Sequence, residues 1–147
     1  MAIRVRHGKD RRDVKRDQQT LANDPANASE MRSFVGDFLA RERVPEDVID
    51  EVLMAVGEVV ANACRHGRTP SSPGEVRVRC ELKDHEIAVI VGDEGPGFDV
   101  RSLDQSVPDV LSQGGRGFFL MRQLMDRVQV KSDANGTTVV LERTLGK

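Results

Sequence analysis

Tryptophan and tyrosine are absent from the 147 residues, and phenylalanine occurs five times. So few rings speak against the stacked-base platforms of single-strand nucleic-acid binders. A formal net charge of −2 speaks against a general nucleic-acid binder. The two cysteines, Cys64 and Cys80, share no zinc-type spacing, so free thiols in a reducing compartment are expected. No apolar run approaches the roughly 20 residues of a membrane-spanning helix. The charged N-terminus lacks the apolar core of a signal peptide. A cytoplasmic protein without membrane contact is expected. Several motifs are missing as well. There is no Gly-x-x-x-x-Gly-Lys-Ser/Thr phosphate loop, no Gly-x-Gly-x-x-Gly dinucleotide fingerprint, and no lysine, catalytic-loop or metal-aspartate set of ordinary protein kinases.

What remains fits one domain, with 38% hydrophobic residues and enough length to bury a core. Residues 1–19 are dominated by charge, with Arg4, Arg6, Lys9, Arg11, Arg12, Lys15 and Arg16 set against Asp10, Asp13 and Asp17. They read as a solvated, mobile tail, or a basic arm for a partner or nucleic acid, ahead of a domain over 20–147. Thr20–Ala22 suggests a short edge strand. Met31, Phe34, Val35, Phe38 and Leu39 recur at three- and four-residue spacing, which predicts a helix from Asn27 or Ser29 to about Arg41. Pro45, Glu46 and Asp47 suit the start of a second helix running to Arg65, with Gly67 as its C-cap. Its wide apolar face makes it the central packed helix.

Val76, Val78, Cys80 and Leu82 alternate with charged residues, the clearest strand signal in the chain. A polar turn at 83–86 and the apolar run Ile87–Val91 complete a hairpin with one wet face. Phe98–Gln113 reads as a long lid or loop. Glycines at 114, 115 and 117 then open an amphipathic helix. Val128–Ser132, an Asn135-Gly136 turn and Thr137–Thr144 make a last hairpin. Hairpins separated by helices point to an α+β, two-layer sandwich. Its sheet is expected to be mixed but largely antiparallel, with helices on one face.

Four features stand out in this order. Glu58 and Asn62 lie one turn apart on the central helix, so both project from one face. The plain reading is a surface Glu–Arg pair and an asparagine bonded to a nearby loop. Asp93-x-Gly95-x-Gly97 follows a strand, and alone it is an acidic turn. Gly115-x-Gly117 exposes the first N–H groups of a helix, a ready anion site, or else a glycine hinge. Gly136-Thr137 begins the last strand.

Taken together, these features resemble the N, G1, G2 and G3 boxes of the GHKL (Bergerat-fold) ATP-binding superfamily. The resemblance covers roughly Met31 to Glu142. Glu58-Val59-Val60-Ala61-Asn62-Ala63-Cys64-Arg65-His66-Gly67, with Gly114-Gly115-Arg116-Gly117-Phe118-Phe119-Leu120-Met121, is similar to the anti-sigma-factor serine/threonine kinases. It implies the Bergerat fold, with ATP and Mg2+ as cofactors. It implies that Glu58 is the general base, that Asn62 ligates the metal, and that Asp93 accepts the adenine amino group. Gly95 and Gly97 would then lie against the base, and Gly115, Arg116 and Gly117 against the phosphates. Thr137 supports the adenine end, with Thr138 as a substitute. Arg65 and His66 border the site and serve either to close it or in a core or cap role.

The implied function is an ATP-dependent serine/threonine kinase that sequesters an RNA polymerase sigma factor and phosphorylates a STAS-type anti-anti-sigma protein. A homodimer is implied, without direct nucleic-acid binding. The alternative is a non-catalytic ATP-binding module that sequesters a sigma factor or another regulator. A histidine kinase would need a phosphoacceptor before the Glu58 helix, where only His7 stands. Gyrase-like and mismatch-repair ATPases would need a transducer domain after Lys147.

Overall fold

Alternation in the hairpin strands builds the sheet. In β3 (Glu75–Lys83) Val76, Val78 and Cys80 are buried while Arg77 is exposed. In β4 (Glu86–Asp93) Ile87, Val89 and Val91 are buried on the same face. The turn between them places Asp84 at φ 56°, left-handed backbone that aspartate tolerates better than most residues. The computed structural model describes residues 3–7, 14–66, 73–95 and 117–146. Around this hairpin stand β1 (Ile3–His7), β2 (Lys15–Ala22), β5 (Arg127–Asp133) and β6 (Gly136–Thr144), in the order β1-β2-β3-β4-β6-β5.

The helices are α1 (Ala28–Arg41), α2 (Glu46–His66) and α3 (Gly117–Leu124). A 3-10 turn, Pro25–Asn27, precedes α1 and is capped by Asp24, whose Oδ1 accepts from Ala26 N at 2.9 Å. Asn27 occupies the N-cap of α1 but makes no capping bond; its Nδ2 donates to Ala22 O at 2.9 Å. Phe34, Phe38 and Leu39 of α1 and Val52, Val56 and Val60 of α2 meet Val78, Val89 and Leu141 of the sheet in one core. Each such burial contributes about 1.5–3 kcal/mol. Gly36 and Gly57 let the two helices approach: a Cβ at Gly36 would lie 3.3 Å from Leu53, and one at Gly57 3.3 Å from Arg32 Nε.

Two expectations are corrected. Every neighbouring strand pair is antiparallel, so the sheet is not mixed. The reason is traversal. Two helices separate β2 from β3 and return the chain to the end it left, with Ala22 opposite Glu75. One helix and one strand do the same between β4 and β6, with Asp93 opposite Thr137. The second correction concerns residues 1–19. Residues 3–7 form β1, and from Lys15 the chain is an eight-residue strand lying between β1 and β3. Its inward residues are Asp17, Gln19 and Leu21, all buried. The first two are polar, so the apolar alternation that signals a strand is missing. Each has a partner on α1 instead. Arg41 Nη2 donates to Asp17 Oδ2 at 3.1 Å, and Gln19 Nε2 donates to Glu30 Oε2 at 3.2 Å.

Candidate functional site

Helix α2 carries the central polar pair. Val52, Val56, Val59, Val60 and Ala63 hold it against the core. Glu58 is half-buried at the margin of that face, and Asn62 is only 3% exposed. A buried carboxamide needs partners for both its ends. The oxygen has one, since Arg65 Nη2 donates to Asn62 Oδ1. The nitrogen has none among the described residues: Asn62 Nδ2 is buried without a hydrogen-bond partner there. Asn23, between β2 and the 3-10 turn, braces this last stretch of α2 by donating from Nδ2 to Ala63 O at 3.0 Å.

A second group lies where β4 and β6 meet. Asp93 is the last residue of β4 and shares its inward parity with Val89 and Val91. Its Oδ1 accepts from Gly95 N at 2.9 Å, a local turn that shapes the exit from the strand. Thr137 faces it in register. It is buried, and its Oγ1 lies 2.7 Å from Ser132 Oγ. Thr138 stands opposite Gly92 and points to the other face of the sheet, so only Thr137 shares a face with Asp93. Gly136, at φ 146°, sits directly on the Asp93 backbone. A Cβ there would fall 2.0 Å from Asp93 O, so only glycine fits.

Gly117 opens α3, as expected of the last glycine of its motif. Met121 and Met125 anchor that helix region in the core. Its last turn is tied from behind: Arg143 Nη1 of β6 donates to Leu124 O at 2.9 Å and pairs with Glu51 Oε1 of α2 at 2.8 Å. Gly97, Gly115, Arg116 and the expected lid Phe98–Gln113 lie outside the described residues. His66 closes α2, and its side chain is outside them too.

The structure thus groups Glu58, Asn62 and Arg65 on one helix, and Asp93, Gly95 and Thr137 at one strand junction. Sequence reasoning missed Asn23 and Arg143. Asn23 sits in Ala22-Asn23-Asp24-Pro25, which reads as an ordinary turn. Arg143 sits near the end of the last strand, in no motif.

Among the described residues, no group of three or more His, Cys, Asp or Glu side chains forms a metal cluster. A hard divalent cation bound here would draw most of its oxygen ligands from phosphates and water. One protein oxygen is suited to it. Asn62 Oδ1 already holds a positive group, the Arg65 guanidinium, so the position favours positive charge.

A profile of the histidine kinase-like ATPase domain family matches residues 21–143. A serine-protein kinase RsbW from Bacillus velezensis is 32% identical over 136 residues, spanning 87% of this chain and 84% of the relative. An anti-sigma F factor from Clostridium novyi is 34% identical over 125 residues, spanning 81% and 87%. Among solved structures, the RsbU and RsbW domains of a Mycobacterium tuberculosis protein superpose with a TM-score of 0.65 at 21% identity, over 88% of this chain and 33% of that one. The histidine kinase domain of a blue-light activated kinase from Erythrobacter litoralis gives 0.58 at 21% identity, over 82% and 60%. These two structural likenesses bear on the fold.

Proposed function

The chain belongs to the histidine kinase-like ATPase domain family, and from that premise we propose that it is an ATP-dependent protein serine/threonine kinase acting as an anti-sigma factor. Relatives that it matches over more than four-fifths of its length are called serine-protein kinase RsbW and anti-sigma F factor. In this reading the protein binds ATP with Mg2+, sequesters an RNA polymerase sigma factor and phosphorylates a serine or threonine of a STAS-type anti-anti-sigma protein. It works in the cytoplasm as a homodimer. Among the described residues no helix is long and apolar enough to cross a membrane.

One observation supports this most: a half-buried carboxylate and a buried carboxamide one turn apart on the packed helix α2. A pure nucleotide binder has no need of a carboxylate beside the phosphates. Glu58 orients the attacking hydroxyl and takes its proton. Asn62 offers its carboxamide oxygen to the cation. Asp93 accepts from the adenine amino group, because an ionised carboxylate only accepts; Thr137 supports it from across the strand junction. Gly95 and Gly97 give the base room. Gly117 opens α3, and Gly115, Arg116 and Gly117 are the residues proposed to meet the phosphates, through N–H groups and positive charge. Bound Mg2+ would neutralise charge on the transferring phosphoryl group.

The test is transfer of label from radiolabelled ATP to candidate STAS proteins, together with sigma-factor capture in ATP and in ADP. Glu58→Gln is expected to keep ATP binding and to lose about 10²–10⁴-fold in transfer rate. Transfer at the native rate by Glu58→Gln would remove the base assignment. Absence of transfer by the native protein, with sigma factor still captured, would favour the non-catalytic binding module.

A further inference from the structure

We propose that Arg65 is a resident stand-in for the divalent cation, bound to the Asn62 oxygen that the metal needs and displaced when nucleotide and metal enter. This inference rests on the reading of Asn62 as metal ligand. Three observations carry it. Arg65 Nη2 donates to Asn62 Oδ1. Asn62 is almost wholly buried, and its other polar atom, Nδ2, has no partner among the described residues. Arg65 itself is exposed in the last turn of α2, which ends at His66, so its side chain has room to swing away.

Helix geometry enforces the contact. Residues three apart are neighbours on a helix surface, so the guanidinium reaches the carboxamide without help from any loop. A guanidinium only donates, so it selects the oxygen end of the amide, the same end a hard cation selects. A single charge and a divalent ion on one oxygen repel each other at short range. The two are therefore competitors. The protein without ligand keeps its buried oxygen satisfied, and loading the site requires the guanidinium to leave. The apparent demand for Mg2+ then includes the work of breaking the Arg65–Asn62 contact.

The experiment is a Mg2+ titration of fluorescent ATP-analogue binding to the full chain, comparing the native protein with Arg65→Met, Arg65→Lys and Asn62→Ala. Loss of one hydrogen bond to a charged group at a partly exposed site is expected to lower the Mg2+ concentration for half-maximal binding about three- to tenfold in Arg65→Met. Arg65→Lys should fall between. With EDTA present, Arg65→Met should bind the analogue no more tightly than the native protein. A Mg2+ requirement unchanged or raised in Arg65→Met overturns the proposal; a raised one would make Arg65 an orienting or phosphate-binding residue. Asn62→Ala separates the two layers. If its Mg2+ requirement matches that of the native protein, the metal-ligand reading of Asn62 fails, and the stand-in fails with it. If Asn62→Ala needs more Mg2+ but Arg65→Met does not shift, only the stand-in fails.

Discussion

Gly136 shows how one missing Cβ sets a site. Its φ of 146° is closed to L side chains, and its Cα faces the carbonyl of Asp93. Gly136→Ala therefore strains the turn and pushes against backbone rather than against a side chain that could move. We expect a loss of about 2–4 kcal/mol in urea unfolding, the range of strained backbone combined with overpacking, together with weaker ATP binding because Asp93 shifts. Asp93→Asn tests the other partner. An asparagine oxygen can still accept from Gly95 N, so folding should survive. If Asp93 accepts from the adenine amino group as proposed, the charged acceptor is lost, and ATP affinity should fall about 10- to 150-fold, in line with about 1.5–3 kcal/mol for a hydrogen bond to a charged group. Isothermal titration checks it; native affinity in Asp93→Asn would place adenine elsewhere. At this scale the sequence placed Glu58 and Asn62 one turn apart on a helix and Asp93 at the end of a strand, where the structure has them. It was silent on contacts that depend on an unseen neighbour, such as Arg65 on Asn62 or Asn23 on Ala63.

Among the elements, α1, α2 and both hairpins were legible because their buried faces are apolar at helical or alternating period. Strand β2 was not, for a physical reason. Asp17 and Gln19 point inward, and α1 supplies their partners across the layer. A strand whose buried residues are polar carries no hydrophobic signal, and its outward lysine and arginine made it resemble a tail. The charges along it are unequal in weight. Asp17's side chain is 1% exposed, and Arg41 also lies 5.6 Å from the centroid of the Phe38 ring. Lys15 meets Glu42 at 3.7 Å with 40% of its side chain exposed. Arg41→Ala should cost about 1–3 kcal/mol, since it withdraws a donor from a buried carboxylate. Lys15→Ala should cost under about 1 kcal/mol. Thermal melts of the two variants decide it, and equal losses would mean that burial of Asp17 carries no special weight.

Over the whole molecule, the class and the helical layer were readable from element order. The order of the strands was not, since a single sequence does not say that β6 rather than β5 joins β4. Nor did it say that the sheet extends through β2 to β1. This gives a test by truncation. Removing residues 1–13 takes away β1 and leaves β2 whole, so cooperative unfolding should persist. Removing residues 1–22 takes β2 as well, leaving Arg41 and Glu30 without their sheet partners and uncovering β3, and the cooperative melt should disappear. Circular dichroism reads both, and a cooperative melt after the longer deletion would restore the tail.

The ladder between β4 and β6 has a consequence for how the molecule comes together. The β3–β4 and β5–β6 hairpins close over short turns, and such local contacts form early. The β4–β6 ladder instead joins parts of the chain separated by α3 and β5, and closing that distance carries a larger entropic penalty. It is the seam on which the C-terminal ribbon docks, and Asp93 and Thr137 are its first rung. A nucleotide held between those two residues would grip both sides of that seam. Its binding would then slow the opening of the seam, so that amide hydrogen exchange at Val91 and Val139 responds to ATP more than exchange within either hairpin turn.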